Sequence, residues 1–391
     1  MSPTNRKLAE RANQGREVVA VGGDHYNTLW VVRSLGLAGF TPTVIVVNPH
    51  GRHSFVTRSR YVKKAYVVPD EVAMLDVLRR LSFPSRVAVL SSSDGAADMI
   101  DQHYDELSVK YILSNCGGRQ GALSAWMDKR RMTELARRVG FLVPWSLEVD
   151  GSNYRSVAVN DVPYPCIVKP LKSSRGQKTD FCICQNADEL KERLTALCGQ
   201  GINVLVQEFI KPDFEISILC MRDRERRVNL IPGLLHKVGT CQSVRNLGMP
   251  TYAYAETALS PYVDAAVVDR FLTEVDYDGL YSIEFFVREG KAYFLEINLR
   301  VDGDLFVYTA GGVNMPALWV TGKTGMPQSE LSTTLRPRRT YGMTEVSYVK
   351  YMPWRRPWQV VRDFLRTDVF SIWSRRDPMP LLYKFIYALK H

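Results

Sequence analysis

The chain has 391 residues, 46% of them hydrophobic and 24% charged, which is typical of a soluble globular protein with two or three domains. No apolar stretch is long enough to span a bilayer, and the polar N-terminus lacks the apolar core of a secretory signal. The seven cysteines show neither a zinc-site nor a redox-motif spacing. These features argue against a membrane-spanning or secreted protein, and we expect reduced thiols in a cytoplasmic one.

The formal net charge of +10 is concentrated near the C-terminus, where residues 331–391 hold 12 Lys and Arg against 4 Asp and Glu. Such a basic surface can face nucleic acid, an anionic membrane or an acidic metabolite, or it can simply keep the protein soluble. Trp354, Trp358 and Trp373 lie among these basic residues, a composition compatible with a membrane surface or a lipid-linked acceptor. The preferred interpretation is that these tryptophans pack the tail onto the body of the protein.

The N-terminal third alternates predicted strands and helices. EVVAVGG (17–23) reads as a buried strand, NTLWVVRSLGLAG as a helix, and PTVIVVNP, VAVLSSSD and YILSN as further strands. This alternation predicts an open, mostly parallel sheet with ligands at the carboxyl ends of its strands. Asp24, His25 and Asn27 follow the first strand and are therefore candidate contacts to a small acid. A complete GxGxxG is absent, which argues against a dinucleotide site.

A second unit begins with a helix for which Ser124 is the predicted N-cap and Gly140 the stop. The strand YPCIVKP then ends at Lys169 and Pro170. The loop from Lys172 to Thr179 has three hydroxyls, two lysines, an arginine and a glycine, so its backbone N–H groups can fold over phosphates. It is not a P-loop, because GxxxxGK[ST] is missing.

Two carboxylates downstream are candidate nucleoside contacts. Glu208 in VQEFI lies near an apolar strand end, where it can accept from an adenine amine, and Glu215 can hold ribose hydroxyls. Thr240–Glu256 is interpreted either as a second cover over the site, with Arg245 reaching substrate, or as a disordered loop. The loop from Lys172 to Thr179, which can fold over phosphates, is the expected lid that would keep water out of the site.

The segment YSIEFFVREGKAYFLEINLR predicts a β-hairpin with three polar groups on one face. Glu296 and Asn298 are two residues apart and so share a face of their strand. A three-residue loop, Arg288 to Gly290, would place Glu284 across from Phe294 and on that same face. The hairpin thus collects two carboxylates and an amide.

Neighbouring carboxylates repel each other, and a cation must compensate them. An oxygen set of two carboxylates and an amide suits one or two Mg²⁺ ions on a nucleotide. Arg300, two residues beyond Asn298, can hold a carboxylate or a phosphoryl oxygen in a bidentate fork. The alternative is that Glu296 and Arg300 are surface residues, but Glu284 lies inside an apolar run, where an unpaired charge is costly.

With these motifs in place, the chain resembles the ATP-grasp superfamily from roughly Val18 to Gly325. The match rests on MDKRRM, IVKP, KSSRGQKT, QEFI, IEFF and EINLR in this order. NTLWVVRSLGLAG and FSIWSRRDPMPLL further resemble the D-aspartate ligase-like carboxylate–amine ligases. The resemblance implies an N-terminal open parallel sheet (1–122), a two-lobed ATP-grasp domain (123–205 and 206–326) and a basic C-terminal appendage (327–391).

The resemblance also implies a role for each matched position. Lys129 and Lys169 would contact ATP phosphates, Lys237 would be a further phosphate contact, and Arg300 would orient the substrate carboxylate or acyl phosphate. The remaining nucleotide contacts would be Lys172, Ser173, Ser174, Gly176, Glu208, Phe209, Ile210 and Glu215. The metal ligands would be Glu284, Glu296 and Asn298. The implied cofactors are ATP and Mg²⁺, with Mn²⁺ as a substitute.

The implied reaction is a two-step amide ligation. ATP phosphorylates a carboxylate, and an amine then displaces phosphate from the acyl phosphate, with release of ADP. The expected substrates are an amino acid such as aspartate and an amine or peptide acceptor of cell-wall type; no nucleic acid is expected, and homo-oligomerisation stays open. The alternatives are a biotin-dependent carboxylase-type enzyme, which shares this ATP site, and a non-catalytic binder of nucleotide, nucleic acid or membrane.

Overall fold

The computed structural model describes residues 16–170, 182–240, 250–326, 331–350 and 357–390. Its first unit alternates strands and helices: β1 (Glu17–Gly23), α1 (Tyr26–Leu37), β2 (Thr41–Val47), a 3-10 turn (Val56–Arg58), β3 (Lys64–Val68), α2 (Glu71–Arg80), β4 (Val87–Ser91), α3 (Asp94–Gln102), α4 (Tyr104–Leu107) and β5 (Tyr111–Leu113). The five strands form a parallel sheet in the order β3-β2-β1-β4-β5. Apolar cores on both of its faces bury the strands, so the predicted open parallel sheet is confirmed.

A short bridge leads out of this sheet through β6 (Asn115–Cys116), α5 (Ala122–Trp126) and α6 (Lys129–Val139). The predicted cap at Ser124 is wrong, because that residue lies inside α5 and its N–H donates to Asp101 at 2.8 Å. Helix α6 begins instead after Asp128, whose carboxylate accepts from the Arg131 N–H at 2.8 Å. It ends as predicted at Gly140, which has a φ of +110°.

The next unit is a four-stranded antiparallel sheet covered by one helix. It comprises β7 (Ser146–Val149), 3-10 turns at Tyr154–Ser156 and Val159–Asp161, β8 (Cys166–Pro170), β9 (Cys182–Cys184), α7 (Ala187–Cys198) and β10 (Val204–Glu208). The strand order is β7-β10-β8-β9. Leucines of α7 pack on the strands, and Asn186 caps that helix by accepting from the Glu189 N–H at 3.0 Å.

A nine-stranded sheet forms the remainder of the body. Its elements are β11 (Phe214–Asp223), β12 (Val228–Leu230), β13 (Leu234–Thr240), β14 (Pro250–Glu256), α8 (Ala265–Val275), β15 (Tyr277–Arg288), β16 (Lys291–Asn298), α9 (Leu305–Ala310), α10 (Met315–Thr324), β17 (Thr340–Met343), α11 (Glu345–Lys350), α12 (Pro357–Arg366), β18 (Val369–Phe370) and α13 (Met379–Lys390). The main order is β16-β15-β11-β13-β14-β17-β18, with β12 on β11 and β6 on β15. The antiparallel sheets complete the predicted ATP-grasp type of fold. Residues 250–256, expected to lie in a cover or loop, are instead a strand inside this sheet.

The large sheet is apolar on one face and mixed on the other. Ile216 and Ile218 of β11 face helices α6 and α8, whereas Leu219 and Leu235 lie in the core formed with α1, α9 and α10. The mixed face becomes polar towards Glu215, and this polar end carries the candidate site described below.

The C-terminal elements return to the N-terminal sheet. The buried Asp377 carboxylate accepts from Arg33 Nε at 2.9 Å, from Ser59 Oγ at 2.7 Å and from the Arg60 N–H at 2.9 Å. The tryptophans do not serve this docking as expected, because Trp358 is 84% exposed and Trp373 is 40% exposed; Trp354 lies outside the described residues. Within the described ranges, no helix has the length and apolar character needed to cross a membrane.

Candidate active site

Four adjacent strands collect acidic and basic side chains on one face of the large sheet. In the order β16-β15-β11-β13, Glu284 lies between Glu296 on one side and Ser217 on the other. Glu215, two residues before Ser217, lies opposite Lys237. Because residues directly opposite or two apart share a face, all five side chains project from the same side of the sheet.

The hairpin achieves this by a route that differs from the prediction. Its turn has two residues, Glu289 and Gly290, flanked by an Arg288–Lys291 pair, so the predicted three-residue loop is wrong. Phe285 rather than Glu284 pairs with Phe294, and the register then shifts at a β-bulge, where Leu295 is the extra residue. The bulge returns Glu284 to the face of Glu296.

One ammonium lies among several carboxylates. Lys237 is buried, and its Nζ is 2.7 Å from Glu284 Oε2. Burial opposes the charge of Lys237, but the Glu284, Asp304 and Glu215 carboxylates raise its pKa above the ordinary value. Burial raises the pKa of Glu284 to about 7 against the effect of Lys237, and repulsion from Asp302 and Glu296 acts in the same direction as burial. The site therefore carries more negative charge than this one lysine compensates.

Glu215 is a buried acid with an unused acceptor. It is 2% exposed, and its Oε2 accepts no hydrogen bond from any of the described residues. Burial raises its pKa, and Asp304 does so as well, whereas Lys237 lowers it. A buried oxygen without a partner is costly, so a ligand hydroxyl is a fitting occupant.

Two further carboxylates, Asp302 and Asp304, belong to this cluster and were not among the predicted site residues. Asp302 Oδ2 accepts from Ser282 Oγ at 2.6 Å, and Asp304 Oδ2 accepts from Ser217 Oγ at 2.8 Å. Their signal in the sequence is the polar alternation that continues past Arg300 in NLRVDGD. That stretch is a loop, where spacing does not fix the direction of a side chain.

Arg300 connects this cluster to the N-terminal sheet. Its Nε donates to Asp94 at the start of α3, and its Nη2 donates to Asn298 Oδ1 at 3.2 Å. The next residue, Val301, donates its N–H to the Ser91 carbonyl at the end of β4, at 3.1 Å. The guanidinium is thereby held at the junction of the two sheets.

Two predicted phosphate lysines lie near Glu296 and belong to earlier elements of the chain. Lys129 Nζ, at the start of α6, is 3.6 Å from Glu296 Oε2. Lys169 Nζ, near the end of β8, donates to Gln207 Oε1 at 2.8 Å. Burial lowers the pKa of Lys169 to about 8; the Lys129 charge lowers it further, and Glu296 opposes this. Lys129, Lys169 and Glu296 thus share one electrostatic environment between the units.

The QEFI segment forms the connection between the four-stranded and the large sheets. Glu208 Oε2 accepts from the Trp145 N–H at 3.4 Å, and the Phe209 N–H donates to the Pro165 carbonyl at 2.9 Å. Ile210 is buried. The Phe209 N–H is already bonded, so a purine at this connection would need other backbone groups or the Glu208 carboxylate.

The predicted metal donors match hard-cation chemistry but are engaged by protein cations. Within the part of the chain that the structure describes, no group of three or more His, Cys, Asp or Glu is arranged as a metal site. Glu284 contacts Lys237, Glu296 contacts Lys129, and the Asn298 amide oxygen accepts from Arg300. The oxygen donors and the surplus negative charge fit Mg²⁺, which would compete with these contacts.

Comparison with known proteins identifies the domain to which this site belongs. Residues 134–307 match the family model described as the ATP-grasp domain. The chain contains an ATP-grasp domain. The predicted superfamily is therefore confirmed, and the carboxylates, Lys169, Lys237 and QEFI all lie within the matched range.

Curated relatives match parts of the chain. A formate-dependent phosphoribosylglycinamide formyltransferase from Erythrobacter litoralis is 27% identical over 259 residues, which cover 60% of this chain and 65% of that protein. The protein of the same name from Pseudomonas putida is 32% identical over 178 residues, covering 44% and 43%. The chain thus spans less than two thirds of the length of these relatives.

Solved structures share the fold over most of the chain. An L-amino acid ligase from Bacillus licheniformis aligns with a TM-score of 0.59 at 16% identity, covering 83% of this chain and 79% of that one. An N5-carboxyaminoimidazole synthetase from Staphylococcus aureus, complexed with ADP, aligns with a TM-score of 0.62 at 14% identity, covering 87% and 86%. At these identities the likeness shows the fold alone.

The end of β1 faces the ATP-grasp domain. His25 Nδ1 is 2.8 Å from Asn27 Oδ1, and a Cβ on Gly303, beside Asp302, would lie 2.8 Å from that same Asn27 oxygen. Burial lowers the pKa of His25. The Arg300 charge lowers it further, and the Asp302 carboxylate raises it. The candidate substrate contacts at the strand end therefore adjoin the carboxylate cluster.

A lysine from the C-terminal helix reaches the same strand end. Lys384 Nζ of α13 lies 4.7 Å from the centre of the Phe55 ring. Burial lowers the pKa of Lys384, whereas the Asp24 carboxylate raises it. No sequence spacing indicated this contact, because the two residues lie at opposite ends of the chain. Lys172, Ser173, Ser174, Gly176 and Arg245 lie outside the described residues.

Proposed function

We propose that this protein is an ATP-dependent carboxylate–amine ligase that forms an amide through an acyl phosphate and releases ADP and phosphate. The observation that carries the proposal is the Glu284–Glu296 pair, directly opposed on one sheet face. Lys237 contacts the first of these carboxylates and Lys129 the second, with Lys169 close by. Carboxylates for a metal ion beside lysines for phosphates are the components that phosphoryl transfer requires.

Each side chain has a distinct part in this proposal. When bound, Mg-ATP supplies the phosphoryl group, and the ion neutralises charge that develops on it. Lys129 and Lys169 hold phosphate oxygens, Lys237 fixes the orientation of Glu284, and Glu215 accepts from ribose. Glu208 accepts from the purine amine at the connection between the two sheets. The residues thus provide positioning and charge compensation, without a covalent nucleophile.

The substrate acid is proposed to bind where the ATP-grasp domain meets the N-terminal sheet. Arg300 and His25 face this junction, and a substrate carboxylate would take the place of Asp94 on the guanidinium. An amino acid such as aspartate, joined to an amine of a peptide acceptor, is our more specific proposal. The names of the curated relatives pair formate with phosphoribosylglycinamide, so formate belongs in the same test.

The test is product analysis with Mg-ATP and a panel of carboxylic acids and amines. ADP and phosphate that appear only with an acid support the proposal, whereas AMP and pyrophosphate would contradict the acyl phosphate route. ADP formation that requires bicarbonate and biotin would favour the carboxylase alternative. Absence of turnover despite nucleotide binding would favour a non-catalytic binder.

The variant Glu296→Gln is predicted to reduce turnover by at least about a hundredfold, because a neutral amide compensates a metal ion poorly. The matched control is Glu289→Gln, the same substitution at the exposed turn of the same hairpin. Thermal unfolding of both variants shows whether the fold is retained. Equal activities of the two variants would contradict the proposed role of Glu296 as a metal ligand.

A further inference from the structure

The outer face of α12 is an apolar stripe that the described residues of the chain leave exposed. Trp358, Val361 and Leu365 follow one another at helical spacing, and Trp358 and Leu365 are 84% and 82% exposed. The inner face is fixed, because Asp363 Oδ2 accepts from the buried Tyr348 hydroxyl at 2.8 Å. The outward direction of the stripe is therefore a consequence of packing rather than of a loosely held helix.

Basic side chains flank the stripe. Arg362 and Arg366 are exposed on the same side of α12, within one helical turn of Leu365. Arg375 and Arg376 are exposed in the segment that follows β18, next to the exposed Trp373. This is the part of the chain that holds most of the net positive charge.

Helix α13 repeats the pattern. Met379, Leu382 and Ile386 lie at spacings of three and four residues, and all three are about half exposed. The opposite face is docked, since Leu381 packs against the buried core and the Lys384 ammonium lies over an aromatic ring of the N-terminal unit. Two helices of the tail thus present apolar stripes while their other faces are anchored.

We propose that this tail surface, the outer faces of α12 and α13 with Trp373, binds an anionic phospholipid bilayer at its interface. Tryptophan, leucine and arginine on one amphipathic helix face are the composition of helices that lie in the headgroup region. The guanidinium groups complement anionic headgroups. A second copy of the chain is less well matched, because a symmetric contact would bring the same arginines together.

The test is sedimentation of the full-length protein with vesicles, in the absence of nucleotide and substrate. Binding is expected to vesicles of phosphatidylcholine mixed with phosphatidylglycerol, to be weak to pure phosphatidylcholine, and to decrease with salt. The double variant Trp358→Ser/Leu365→Ser is expected to reduce binding at least about tenfold, because it removes two large apolar groups. Its thermal unfolding is expected to match the wild type, since both side chains are exposed.

The matched control is Val72→Ser/Val109→Ser, which replaces two exposed apolar residues, 61% and 76% accessible, of the N-terminal unit. This control is expected to bind vesicles as the wild type does. Absence of vesicle binding, or an equal loss in both double variants, would overturn the proposal. A concentration-dependent dimer in light scattering that only the tail variant loses, without vesicle binding, would assign the surface to a second copy instead.

Discussion

Lys169 shows how a single residue of the site is held at a cost to stability. Burial and the neighbouring Lys129 charge lower its pKa from 10.5 to about 8, so near neutral pH it is a charged group in an unfavourable place. Because the pKa of Lys169 is lower in the folded than in the unfolded protein, its charge reduces the free energy of unfolding. This reduction is complete below about pH 8 and disappears as the pH rises past 10.5. This half-buried ammonium can bind phosphate oxygens.

We therefore predict that Lys169→Met raises the free energy of unfolding at neutral pH by about 1 to 3 kcal/mol while it weakens ATP binding. The stability gain should shrink as the pH rises from about 8 towards 10.5 and be lost above 10.5, where the lysine becomes neutral in both states. Denaturant unfolding at neutral pH and above pH 10.5 measures the free energy of unfolding of the variant and the wild type. Lys191→Met is the control, because that lysine is exposed on α7 and its removal should change stability little. A loss of stability in Lys169→Met at neutral pH would contradict the account.

Glu215 supports a second prediction at this scale. Glu215→Gln should weaken ATP binding by about tenfold or more, because a carboxylate that accepts from ribose hydroxyls makes a charge-assisted bond. The penalty should disappear with 2′,3′-dideoxy-ATP, which lacks both hydroxyls, so the four affinities form a double-mutant cycle measurable by calorimetry. An equal penalty for both nucleotides would assign Glu215 a structural role beside Lys237.

At the scale of elements, the hairpin shows why a site can be predicted while its geometry is not. The charges inside SIEFFV and AYFLEINL pointed to Glu284 and Glu296 from the sequence alone. Their relation depends on a turn and a bulge at Leu295 that local propensity does not specify, so the predicted partner Phe294 was wrong. Asp302 and Asp304 were missed because they lie in a loop, where periodicity carries no information.

The attachment of the tail is a second feature of this scale, and it supports a prediction about stability. Asp377 forms an ion pair with the buried Arg33, so Asp377→Ala should destabilise the protein by about 3 to 5 kcal/mol, since it leaves the buried guanidinium without a counter-charge. Glu106→Ala breaks the exposed pair with Arg79 and should change stability little. Denaturant unfolding of the two variants compares them. Similar small effects would show that the tail is not fixed through Asp377.

For the whole molecule, the order of motifs predicted the parallel N-terminal sheet and the ATP-grasp domain. Strand–helix alternation and polar groups at strand ends can both be recognised in a single sequence. The position of Lys384 over the Phe55 ring was not predictable, since it joins residues far apart in the chain. The exposure of Trp358 was also missed, because amphipathic spacing does not state whether an apolar face meets the protein or its surroundings.

The central claim is that the opposed carboxylates of one hairpin hold the metal ion of a bound nucleotide between the two sheets. Crystals grown with Mn²⁺ and a non-hydrolysable ATP analogue test it directly, because anomalous scattering locates the manganese without assumptions about the protein. We predict one or two peaks within coordination distance of Glu284 and Glu296, with the phosphates facing Lys169. Manganese located elsewhere, with Glu284 still paired only to Lys237, would contradict the claim.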